Sequence, residues 1–148
     1  MTAPATLTSI LDAHVQTLQT LLVTLDRERG ALHEQDAGVL EQLTAEKSEA
    51  AGRLRDLGLS LERLRVGATV EPLDRWLTQH PQGAAGWQHI RELGTRCQAA
   101  NRENAAHLEA RMRQTRGRLQ ALRGETAPPL YGQAGPVADH GRRLLGQA

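Results

Sequence analysis

The stretch Leu11–Leu32 reads LDAHVQTLQTLLVTLDRERGAL, with leucine at positions 11, 18, 25 and 32. A seven-residue repeat keeps one stripe of a helix turned toward a neighbour, so this stretch predicts a long amphipathic helix packed on another. A second ladder through Leu40, Leu43, Leu54, Leu57, Leu61 and Leu64 supplies that other helix. The information in the chain therefore lies in helix-on-helix surfaces rather than in a pocket, and an interaction protein is the first expectation.

Working outward, the first helix is expected from about Ala5 to His33. The segment Glu34-Gln35-Asp36-Ala37-Gly38 breaks the apolar register. Asp36 is placed to accept a backbone N–H as an N-cap, and the second helix should follow to about Arg65. A short connection favours antiparallel neighbours, so the two should form a hairpin. Gly67 is expected to end the second helix. Pro72 then opens a short helix carrying Leu73, Trp76 and Leu77, which His80-Pro81-Gln82-Gly83 breaks. A last long helix should run from about Ala85 to Arg123. Its stripe passes through Ile90, Leu93, Cys97, Asn101, Asn104, Leu108, Met112, Thr115, Leu119 and Leu122 at spacings of three and four. The fold class is all-α: an antiparallel bundle of three long helices plus one short connecting helix. Residues 1–124 form the bundle domain, and the Pro/Gly-containing residues 125–148 read as a flexible tail.

Composition agrees. The 148 residues suit one domain, and Trp76, Trp87 and Tyr131 are the aromatics in a chain without phenylalanine, so Leu and Ala must build the core. A formal net charge of +1 gives no overall field toward nucleic acid or an anionic membrane. A single cysteine, Cys97, rules out an internal disulfide and fits a reducing compartment. The opening MTAPATLTSILDAH has no basic start and no long apolar run, so neither a secretory signal nor a membrane anchor is expected. A soluble, cytoplasmic protein is the consequence.

Catalytic chemistry is not visible. His14, His33, His80, His89, His107 and His140 are scattered, without metal-ligand spacing, so no metal or other cofactor is expected. Cys97 sits on an apolar stripe without an adjacent base and reads as a buried small hydrophobe. His14 lies between Leu11 and Leu18 and reads as a satisfied structural histidine. Phosphate-cradling loops and the nucleophile elbow are absent, and no enzyme is expected. Arg96, Arg102, Arg111, Arg113, Arg116, Arg118 and Arg123 face only Glu103 and Glu109 in the last helix. Without stacking aromatics, a solvated face is the first reading, an acidic partner the second and nucleic acid a distant third.

Polar residues in the stripes carry more. Lys47 falls on the line Leu40, Lys47, Leu54, Leu61, where its ammonium must snorkel or find an acceptor, a register-setting or edge position. Asn101, Asn104 and Thr115 interrupt the last stripe and need hydrogen-bond partners. Either they bond the hairpin inside a closed bundle, or that face is partly open and receives another chain. Tyr131 stands among glycines and prolines outside any stripe, which suits an anchor for a partner's pocket; the alternative is that it folds back on the bundle.

The run Leu21-Leu22, Glu28-x-x-Ala31-Leu32, Asp36, Leu40, Leu43 and Lys47 resembles the first hairpin of the FlgN family of flagellar export chaperones. Cys97-x-x-x-Asn101-x-x-Asn104, then Leu108, Thr115, Leu119 and Leu122, and finally Tyr131-Gly132-x-x-Gly135 continue the match in the family's order. The family's usual glycine after Asn104 is replaced by Ala105. The resemblance implies a cytoplasmic, non-enzymatic chaperone of the flagellar type III secretion system. It would bind the C-terminal segments of the hook-filament junction proteins FlgK and FlgL and deliver them to the export gate protein FlhA. With that resemblance, the stripe residues Asn101, Asn104, Leu108, Met112, Thr115, Leu119 and Leu122 become the candidate client surface, and Tyr131 with Gly132 and Gly135 the candidate gate contact. A generic coiled-coil adaptor is the alternative, because leucine ladders satisfy an intramolecular bundle or a homo-oligomer equally well.

Overall fold

The computed structural model describes residues 6–124, and four helices carry nearly all of them. Helix α1 spans Leu7–Glu34, about 42 Å at about 1.5 Å per residue. It starts two residues later than the sequence suggests because the Thr6 hydroxyl accepts the Ser9 N–H at 3.2 Å, making Thr6 the cap. At the other end Gln35 adopts a left-handed conformation, φ 60°, and the Gln35 and Asp36 amides both turn back to the Ala31 carbonyl. The break is thus two residues long, shorter than the five-residue interruption in the apolar register.

Helix α2 spans Ala37–Ala68, and Asp36 caps it by accepting the Val39 N–H at 3.1 Å. Gly67 does not end α2. The helix continues through it because the Thr69 amide still reaches the Arg65 carbonyl at 2.8 Å. The Arg65 guanidinium, paired with Glu62, also gathers the Glu71 carbonyl at 2.9 Å. Helix α3 spans Leu73–Gln79 behind Pro72 and buries Leu77 completely. The following turn passes close to α1: a side chain at Gly83 would meet Leu7 Cδ2 and His80 Cβ at 3.3 Å. Helix α4 then spans Ala84–Leu122.

The described residues divide into two units, the first ending at Leu108 and the second starting at Glu109. In the first, Ile10, Leu11, Leu18 and Leu25 of α1 meet Leu61 of α2 and Ile90, Leu93 and Cys97 of α4. The three long helices and the short one make an all-α bundle, with no strand among the described residues. The register is fixed: Cys97 Sγ lies 3.5 Å from the Leu18 carbonyl, and the Asn104 amide lies 2.8 Å from the Leu25 carbonyl. Seven residues on one helix match seven on the other, so α4 runs parallel to α1 and antiparallel to α2, as an up-down-up bundle requires. The second unit begins at Glu109 inside α4, and its described residues are exposed except for the half-buried Arg111. The expected flexible tail, residues 125–148, lies outside the described residues.

Candidate functional site

Four polar side chains converge where the buried part of α4 ends. Glu28 on α1 is 8% exposed and Asn104 on α4 only 3%. Lys47 Nζ donates to Glu28 Oε2 at 3.1 Å and Oε1 at 3.3 Å, and to Asn101 Oδ1 at 2.9 Å. Asn104 Nδ2 donates to Glu28 Oε1 at 2.9 Å and to the Leu25 carbonyl at 2.8 Å. Each helix of the first unit's main bundle therefore contributes to one connected network. A buried carboxylate is tolerated only with such a complement of partners. Lys47 thus occupies a register-setting position with an acceptor, and Asn101 and Asn104 bond the hairpin.

Sequence reasoning found three of the four members and missed Glu28 as their hub. The signal was present: Glu28 lies seven residues after Leu21 and three after Leu25, on the core side of the first ladder. Beside the network, Leu32, Leu40, Thr44, Ala105 and Leu108 line a cleft of about 200 Å³. A larger groove of about 580 Å³ runs between α1 and α4, with Leu22, Val23, Leu93 and Ala100 on its floor and walls.

The other expected surface residues divide sharply. From Ala105 to Leu122 no residue of α4 is buried. Leu108 is 47% exposed, Met112 54%, Leu119 47% and Leu122 83%, and Thr115 is exposed with them. An apolar stripe of this kind on a helix has no partner among the described residues. Tyr131, Gly132 and Gly135 lie outside the described residues.

The remaining candidates are structural. Cys97 is buried, and burial pushes its thiol up against a smaller opposing pull from Arg96, so it stays a protonated hydrophobe. His14 differs from expectation: its Nδ1 is buried without a hydrogen-bond partner among the described residues, and burial lowers its pKa. Trp87 packs on the core edge and donates its indole N–H to Asp74 Oδ1 at 2.8 Å, while Trp76 meets His80 edge to face. Among the described residues no cluster of His, Cys, Asp and Glu has the grouping a metal needs. No helix there is long and apolar enough to cross a membrane.

A family model described as FlgN protein matches residues 1–138. The chain belongs to the FlgN family. No curated protein and no solved structure matches it. FlgN membership makes flagellar export chaperoning the broad function, in a family of chaperones rather than enzymes. Glu28, Lys47, Asn101 and Asn104 are the part of the FlgN resemblance that the bundle network joins in space.

Proposed function

We propose that this FlgN-family chain is a cytoplasmic chaperone that binds the C-terminal segments of the junction proteins FlgK and FlgL. It then delivers them to FlhA at the flagellar type III export gate. The observation that carries the client site is the exposed run Leu108, Met112, Leu119 and Leu122 on α4. An amphipathic client helix laid along this face would bury the stripe in a helix-in-groove mode, with Thr115 inside the contact. Asn101 and Asn104, on the first unit, are proposed to join the client contact. Their bonds to Lys47, Glu28 and Leu25 would be exchanged for client contacts on loading. Tyr131, with Gly132 and Gly135 permitting tight turns, is the proposed gate contact.

The test is light scattering after size exclusion of the full chain mixed with the C-terminal segments of the junction proteins from the same organism. A stable stoichiometric complex that Leu119→Asp weakens at least tenfold, about 1.4 kcal/mol, is the expected result. Absence of a complex at micromolar concentration, or wild-type affinity in Leu119→Asp, overturns the client assignment. Gate affinity of Tyr131→Ala tests the other contact on its own, and an unchanged value removes it.

A further inference from the structure

The second half of α4 has flanks as well as a stripe. Met112, Thr115, Leu119 and Leu122 alternate at spacings of three and four, the seam of a helix that pairs with another helix. The residue before each first-type seam position is Arg111 or Arg118; the residue after each second-type position is Arg116 or Arg123. These are the positions from which paired helices exchange charges and choose partners. Arg116, Arg118 and Arg123 are exposed, and none forms an ion pair within the described residues. In the first unit several arginines do find carboxylates. Arg27 meets Glu46 at 2.9 Å, Arg29 meets Asp26 at 3.0 Å, and Arg65 meets Glu62. Carboxylates accompany those arginines within the bundle, whereas Glu109 is the lone carboxylate on the second unit's helix.

We infer that the α4 segment from Met112 to Leu122 selects a helix bearing carboxylates on both sides of its own apolar stripe, an acidic amphipathic client. This rests on the chaperone reading above and adds the chemistry of the client. A second copy of this chain fits badly: paired parallel along this seam, both edges would set arginine against arginine. A phosphate backbone fits badly too. It would leave Met112, Leu119 and Leu122 against charge, and no aromatic side chain stands on the helix between Glu109 and Leu122 for base stacking.

The test uses the full chain and three synthetic helical peptides with identical leucine seams, whose flanking positions are all Glu, all Gln or all Lys. A single-stranded DNA oligonucleotide and the junction-protein segments complete the set. At low salt the Glu peptide should bind about tenfold tighter than the Gln peptide and the Lys peptide more weakly than either. This ordering should shrink as salt screens the pairs. The triple variant Arg116→Glu/Arg118→Glu/Arg123→Glu should invert the order, with helix content and melting temperature retained because all three side chains are exposed. Equal affinity for Glu and Gln peptides, an unchanged order in the triple variant, no binding of any peptide, or tighter binding of the oligonucleotide overturns the inference. Junction segments that bind equally well to wild type and triple variant would sink the charge selection and leave the chaperone reading standing. Segments that fail on wild type while the Glu peptide binds would do the reverse.

Discussion

Asn104 is held by two acceptors, the Leu25 carbonyl and Glu28, and almost no water reaches it. Truncation to alanine should therefore cost about 1–3 kcal/mol, since Glu28 loses a donor in a place where solvent cannot replace it. Urea unfolding of Asn104→Ala checks this, and a loss below the error of the extrapolation would show that the network contributes register without stability. His14 gives a pH signature with a definite sign. Its folded pKa lies below the ordinary 6.5, so between those two values the unfolded chain binds more protons. The neutral imidazole's contribution is full above pH about 6.5 and is lost as pH falls below it. Melting temperature from pH 7 to 5 should fall more steeply in wild type than in His14→Leu; equal slopes would contradict it. The sequence marked Lys47, Asn101 and Asn104 as misfits in their stripes because periodicity exposes a polar residue in an apolar line. It could not pair them, because pairing depends on which turn of α4 faces which turn of α1.

Helices were the most legible level. Leucines at seven-residue spacing turn one side of α1 inward whatever its partner, so Leu11, Leu18, Leu25 and Leu32 are all buried. Boundaries followed where a cap was written in the chain, as at Asp36, and shifted where side chains took over the ends, as Thr6 did for α1 and Arg65 for α2. Gly67 shows the limit of glycine as punctuation: it stops a helix only if a left-handed turn follows, and Thr69 is extended instead. Gly52, in the middle of α2, has open space where a side chain would be. Its substitution by alanine removes the entropy cost of glycine in a helix without a clash, and should raise stability by about 0.5–1 kcal/mol. Denaturant titration measures it, and destabilisation would mean that this face of α2 is covered by something.

At the scale of the whole molecule, the fold class was legible but the assembly of the faces was not. Leucine ladders fit an internal bundle as well as an oligomer, and the constant offset of Cys97 from Leu18 and of Asn104 from Leu25 becomes visible only when the helices are docked. The candidate surface was legible as a stripe, because its spacing continues along α4 after burial stops. What periodicity alone missed is the point of change: Ile90, Leu93, Cys97 and Asn104 of the stripe are buried, and beyond Asn104 its apolar residues stand exposed. The placement of the tryptophans adds an optical consequence. Trp76 and Trp87 both belong to the first unit, whereas Met112 to Leu122 belong to the second. Their emission should therefore follow melting of the bundle while staying unchanged when a non-fluorescent peptide covers Met112 to Leu122. A spectral change on such binding would instead mean that loading disturbs the helix pair around Asp74, making the native indoles a label-free readout of whether a client stops at the arginine-flanked end or loosens the bundle itself.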